Sequence, residues 1–299
     1  MTVVLMLVVF IPGLGKQAMG AMRWINLRLI TVQPVEVFKL ASVLCYATWL
    51  SAEKPAAAWP MKTWGKLGGL LGAGLILPLM QRDVGSAILL MVIGLTMIWL
   101  GGARLRWIAG FAFLGLAAAV LAICVEPYRV TRIQQFLSSW GGGTGGYQTR
   151  QSLIALGSGG IFGVGIGEGS QKLFYLFSAH ADFIFAIIGE ELGLVGALAV
   201  LAVFGLMFRE GVAIARNCVD PFPKLLASGL IMLIFAQALW HISVALVMVP
   251  TKGLPLPFVS YGGSSLVASM MAVGLILRCA QEPIVIRNRY SERRGLWVS

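Results

Sequence analysis

Charge is what this sequence has least of. Only 12% of its 299 residues are Asp, Glu, Lys or Arg, about half the share expected of a soluble domain. Histidine is scarcer still. His180 and His241 are the two histidines, and with no HExxH spacing they argue against a protein-built zinc site. The four cysteines, Cys45, Cys124, Cys218 and Cys279, are scattered without a CxxC pair, so neither a disulfide framework nor a thiolate metal site is indicated. No GxSxG elbow and no P-loop occurs. No internal repeat of the kind found in many secondary transporters stands out. The start lacks the basic region and small-residue cleavage site of a signal peptide. Acidic side chains are few as well, which leaves a net charge of +11. That excess would point to nucleic acid only as a patch on a soluble surface. Here it sits in short segments between apolar runs, which is membrane topology, and nucleic acid is set aside.

What the chain has in abundance is apolar length, 58% of it hydrophobic. Apolar segments lie near 1–11, 34–52, 67–80, 85–101, 107–124, 183–208, 224–249 and 265–281. The fold class is therefore all-α, a polytopic helical membrane protein forming one integral domain over residues 1–299. The first segment has only eleven residues before Pro12, whereas a spanning helix needs about 20. It reads as the end of a longer helix or as a short first one. Basic residues orient the bundle. With the 53–66 connection and the C-terminus inside, thirteen Lys and Arg face the cytoplasm, against five in the short outer segments. Residues 282–299 then form a basic cytoplasmic tail, and residues 125–182 a long extracytoplasmic loop. Connections that long are usually functional or disordered. Its stretch IALGSGGIFGVGIGEGSQKLFYLF is too apolar for a tether and is expected to re-enter the membrane surface or pack on the helices. The tract SSWGGGTGGYQ reads first as a flexible elbow. GVGIGEG resembles a phosphate-binding loop only superficially, since no strand precedes it.

Titratable groups inside so apolar a chain need a reason. In FSAHADFIFAIIGEELG, Asp182 stands at the outer mouth of a spanning segment. It suits either a helix cap or a general base at the bilayer surface. His180 would tune it or contact an anion, unless it is an ordinary loop histidine. Glu190 and Glu191 lie two turns deeper, and adjacent carboxylates cannot both face lipid, so at least one points into the bundle. Glu36 and Lys39 in QPVEVFKL share a helix face and are expected to pair in the interior, as scaffold or as site. GAMRWINLR carries Arg23 beside Trp24, either an interfacial anchor or part of an electropositive patch for a phosphorylated lipid. In QRDVGS, Asp83 suits a helix cap. PTKGLPLPFVSYGGSS resists a continuous helix and reads as a shaped outer loop, with Lys252 and Ser260 as its polar contacts.

These motifs, QPVEVFKL, QRDVGSA, GGARLRW, GYQTRQSLIALGSGGIFGVGIGEGSQKLFYL, AHADFIFAIIGEELG and PTKGLPLPFVSYGGSS, together resemble the SEDS family of shape, elongation, division and sporulation proteins. They occur in family order along almost the whole chain, and the PTKG stretch is most similar to the cell-division branch. The resemblance implies a ten-helix bacterial inner-membrane protein that polymerises lipid II into glycan strands during septal wall synthesis, releasing undecaprenyl pyrophosphate. It implies that about eight of the ten helices are present, the chain beginning within the third.

It further implies Asp182 as the essential loop aspartate, Glu36 and Lys39 as the buried pair, and Arg23 as the interfacial cation. Countercharge for the pyrophosphate is expected from Arg23 with Lys252 or a bound divalent cation, Mg or Mn, and no other cofactor is implied. His180 and Ser260 complete the substrate-binding expectation, while Glu190 and Glu191 hold the cavity in shape. The implied partners are a class B penicillin-binding transpeptidase and other division proteins. Departures from the family pattern fall at Phe177 and Ser178, Ala181, Arg82, Val35, and Ser138 and Ser139. A lipid II flippase and a non-catalytic division scaffold remain the alternative readings.

Overall fold

The computed structural model describes residues 2–11, 15–18, 21–26, 31–53, 59–140, 146–169, 182–250 and 253–293. Among them run helices α1 (Thr2–Val8), α2 (Pro34–Ser51), α3 (Met61–Met80), α4 (Val84–Leu100), α5 (Leu105–Val125), α6 (Pro127–Trp140), α7 (Tyr147–Ser158), α8 (Ile184–Asn217), α9 (Pro221–Ala245) and α10 (Gly263–Arg293). Every apolar segment marked in the sequence falls on one of them. Helices α3, α5, α8, α9 and the first part of α10 are long and apolar enough to cross a membrane, and α4 is a shorter apolar helix.

In a bilayer, a leucine gains nothing by leaving lipid for a helix interface, so small residues and close approach decide which faces meet. Helix α9 is the hub, packing on α2, α4, α8 and α10. At its Gly229 a methyl group would lie 2.5 Å from Met97 Sδ and 2.6 Å from Val43 Cγ1, so α2 and α4 close on α9 only because that position is bare. Helix α5 is the opposite case, with Gly115 its one buried residue, and it rides on the periphery against α4.

Within GAMRWINLR, read from sequence as a basic interfacial segment, residues 21–26 form part of a small antiparallel sheet. The strands are β1 (Gly15–Ala18), β2 (Ala21–Asn26) and β3 (Thr31–Val32), in that order. Alternation explains it, since Ile25 turns inward while Met22 stays exposed.

The glycine-rich stretch after α7 fills a break in α8. Gly193 has φ 66° and ψ −162°, which interrupts the helix. The interruption frees the carbonyls of Glu190 and Glu191 and the N–H groups of Leu194 and Val195, all of which need partners away from water. The loop supplies them. Val164 and Gly165 N–H donate to Glu190 O and Glu191 O, at 3.0 and 3.1 Å. Leu194 and Val195 N–H donate to Gly160 O and Ile161 O, at 3.0 and 3.2 Å. Irregular backbone at membrane depth is tolerated where protein re-satisfies it in this way. Gly163 has φ 82°, and a methyl group there would meet the Glu191 carbonyl, so this glycine serves close backbone approach to α8.

Candidate active site

Asp182 sits just before α8. It does not cap that helix, whose N-cap is Phe183 with no side-chain cap bond. Asp83 does cap, its carboxylate accepting from Ser86 N at 3.1 Å and Ser86 Oγ at 2.8 Å at the start of α4. Two aspartates near one face thus have different tasks. Asp182 is half-buried, and the partial desolvation of its carboxylate pushes its pKa up. The Arg23 and Arg132 guanidiniums pull it back down, and Asp83 adds a smaller upward push.

Each neighbour comes from a different element. Arg23 projects from β2, and its Nε and Nη2 donate to Gln81 O at 3.3 Å and Arg82 O at 2.5 Å, tying the sheet to the turn between α3 and α4. Arg82 itself has φ 60° and lies 3.5 Å from Glu126 at the end of α5. Arg132 comes from α6. Sequence reasoning passed over it as one external-loop cation among several, because only the folded α6 distinguishes it from Arg150. Gly253 closes the remaining side. A methyl group there would lie 2.9 Å from Asp182 Oδ1, so the loop backbone lies directly on the carboxylate.

That loop is held from within the bundle. Lys39 Nζ lies 2.7 Å from Glu36 Oε2 and donates to Gln237 Oε1 at 2.6 Å, with both members of the ion pair almost wholly buried. Gln237 Nε2 donates onward to Pro255 O at 2.8 Å. One turn later, His241 Nδ1 is 2.9 Å from Leu254 O. A carbonyl only accepts, so His241 must carry its proton on Nδ1. A cavity of about 10 Å³, the room of one water, borders Glu36, Lys39, Gln237 and Ser269. The pair expected at Glu36 and Lys39 therefore exists, and it is the root of a polar chain that reaches the outer loop. Gln237 and His241 were not marked from sequence. A Gln and a His one turn apart in so apolar a segment were the available signal.

Ser260 Oγ accepts from Leu256 N at 2.8 Å, which closes the loop's own turn. Glu190 is buried 8 residues into the span and Glu191 is half-exposed beside the glycine loop, so one of the two points inward as lipid exclusion requires. His180 and Lys252 lie outside the described residues. Among the described residues no group of three or more His, Cys, Asp and Glu gathers. Asp182 alone offers a divalent cation a single carboxylate, whereas Mg is held by one or two carboxylates together with phosphate oxygens of a bound molecule.

The bundle of long apolar helices defines a multi-pass helical membrane protein. Its sequence matches the family model for cell cycle proteins of the FtsW, RodA and SpoVE type over residues 1–283, and the chain belongs to that family. Curated relatives include probable peptidoglycan glycosyltransferases FtsW from three bacteria. The Geobacter metallireducens protein is 40% identical over 91% of this chain and 73% of its own. The Coxiella burnetii protein is 39% identical over 93% and 76%. The Alcanivorax borkumensis protein is 41% identical over 96% and 75%. Among solved structures, a chain of a peptidoglycan synthase complex superposes with a TM-score of 0.76 at 26% identity, covering 94% of this chain and 79% of that one. RodA of Thermus thermophilus superposes at 0.67 with 26% identity, covering 94% and 76%.

Proposed function

We propose that this chain is a peptidoglycan glycosyltransferase that polymerises lipid II, with Asp182 as its general base. Membership of a family whose curated relatives carry that activity in their names supports the reaction class. The observation that carries the residue assignment is the Asp182 carboxylate, half-buried, within the electrostatic reach of Arg23 and Arg132 and released from capping duty. Burial makes it a better proton acceptor than an exposed aspartate, while the arginines keep it ionised enough to act.

In the proposed step Asp182 takes the proton from the 4-hydroxyl of the GlcNAc of an incoming lipid II. The freed oxygen forms a bond to the anomeric carbon of the growing strand's terminal MurNAc. The bond from that carbon to the pyrophosphate oxygen breaks, with inversion, and undecaprenyl pyrophosphate leaves. Arg23 and Arg132 face the charge that develops on the leaving group. Lys252 joins them in this reading, and a divalent cation, if used, supplies further countercharge. The site opens on the outer face of a cytoplasmic membrane, and a class B penicillin-binding transpeptidase is the proposed partner that cross-links the product. The transport alternative draws less support, because the cavity beside Glu36 and Lys39 has room for about one water among the described residues.

The test is polymerisation of purified lipid II by the chain reconstituted with its transpeptidase. Asp182→Asn keeps size and removes the base, and product formation should fall by about a hundred- to ten-thousand-fold. Equal product from both proteins, at equal folding, would rule Asp182 out as the base.

A further inference from the structure

At the end of the bundle opposite Asp182, three indoles from neighbouring segments meet. Trp59 precedes α3, Trp64 lies in its first turn, and Trp107 lies in the first turn of α5. Ring centroids of Trp59 and Trp64, and of Trp64 and Trp107, are 5.1 Å apart, and Phe111 stacks 6.1 Å from Trp64. With Arg104 and Arg106 these rings wall a cleft of about 560 Å³, a size ordinary for small-ligand sites.

Among the described residues that line the cleft, the charged ones are Arg104 and Arg106, and the Arg106 guanidinium lies 5.7 Å from the Trp107 ring centroid. The Glu53 carboxylate is engaged instead by Thr63 Oγ1, in the first turn of α3. Helices α3 and α5 both begin here, with Pro60 and Arg104 at their N-caps and no side-chain cap bond at either. Two positive dipole ends therefore add to the arginines. Interfacial tryptophans in general anchor a helix singly at headgroup depth. These touch one another across two helices and leave a concave space, which anchoring does not require. Met61 and Leu105, at 85% and 73% exposure, stand beside the cleft and present apolar surface around it.

We propose that this cleft is a binding site for an anionic phospholipid of the inner leaflet. The phosphate diester lies at Arg104, Arg106 and the two helix starts, and an acyl chain lies along Trp64, Trp107 and Phe111. Basic pockets between membrane helices on the cytoplasmic side suit such headgroups, and this side holds the chain's excess of Lys and Arg. The apolar wall and rim favour a lipid over a soluble phosphate compound. The site is independent of the chemistry at Asp182.

The experiment uses the full chain in phosphatidylcholine nanodiscs, with dibrominated phosphatidylglycerol or dibrominated phosphatidylcholine at equal mole fraction. Bromine quenches indole fluorescence on contact. The phosphatidylglycerol lipid should quench more strongly than the phosphatidylcholine one. Arg104→Gln with Arg106→Gln should remove that excess, each arginine contributing about a fivefold preference, and leave quenching by the phosphatidylcholine lipid unchanged. Trp59→Phe, Trp64→Phe and Trp107→Phe together should also remove the excess, since the reporting indoles of the cleft are then gone. Equal quenching by both lipids in the unaltered chain would overturn the proposal. So would an excess that survives either set of substitutions, or a fluorescence change produced by inorganic phosphate alone and not competed by phosphatidylglycerol.

Discussion

Gly253 lies so close to Asp182 that a methyl group on its Cα would stand 2.9 Å from Oδ1 and 3.3 Å from Oδ2. The position of the proposed base is thus set by a loop, and the loop is set by the bundle. Leu254 O is held by His241, Pro255 O by Gln237, and Leu256 N by Ser260. Leu254 and Leu256 are themselves buried. The Asp182 carboxylate is therefore tied, through four residues of loop, to an ion pair buried inside the bundle.

Gly253→Ala tests the contact directly. Gly253 has no unusual φ, so alanine there strains nothing except the space shared with Asp182. The carboxylate or the loop must shift by a few tenths of an ångström or more. Misplacement of about 1 Å costs up to about a hundredfold in rate. Polymerisation of lipid II should drop toward that extent while the melting temperature in detergent stays near that of the unaltered chain. Full activity in Gly253→Ala would show that the loop does not position the base.

His241 separates hydrogen bonding from bulk. His241→Leu removes the donor to Leu254 O and leaves a buried carbonyl unsatisfied, at a cost of about 1–3 kcal/mol. His241→Asn can place an amide N–H near the former Nδ1 and keep the bond. Both substitutions shorten or reshape the side chain, yet only the first should release the loop. The leucine variant is expected to lose turnover with a smaller effect on substrate KM, and the asparagine variant to recover most of it. Equal losses in the two would assign His241 to packing alone.

Much of this arrangement was legible in the sequence, and the reasons differ by residue. The spans could be read because bilayer thickness forces long apolar runs. The Glu36–Lys39 pair could be read because three residues on a helix put both on one face. Asp182 stood out as a carboxylate at the edge of an apolar run. Arg132 and Gly253 did not stand out, because their importance lies in the approach of α6 and the outer loop to Asp182, contacts distant in sequence. The glycine run before α8 was marked as packed or re-entrant, but its partner could not be named. The break at Gly193 is invisible among the other glycines of that helix, and only the exchanged hydrogen bonds identify it.

Lys39→Met tests the buried root of the network. It leaves the Glu36 carboxylate without its counter-ion in a dry interior and takes a donor from Gln237 Oε1. Removing one partner of a buried pair costs about 3–5 kcal/mol, whereas replacing both with neutral groups is often close to harmless. Thermal unfolding in detergent should show a marked fall in melting temperature for Lys39→Met and a much smaller one for Glu36→Gln with Lys39→Met. If the double variant is no more stable than the single, the two side chains do not act as a pair in the folded bundle.

The pH dependence of polymerisation should report on Asp182. A general base works only when deprotonated, so the rate rises with pH as Asp182 loses its proton. Burial raises its pKa, so this acid limb should lie above the ordinary aspartate value of about 3.9. Arg132 favours the charged form, and its removal must therefore raise the pKa further. Arg132→Gln should move the acid limb to higher pH, making the variant most impaired in mildly acidic buffer and least impaired where Asp182 is fully ionised. Arg23→Gln should move it in the same direction, with an added loss from the broken bonds to Gln81 O and Arg82 O. An acid limb unmoved in both variants would mean that the rate-controlling base is some other group than the carboxylate these arginines flank.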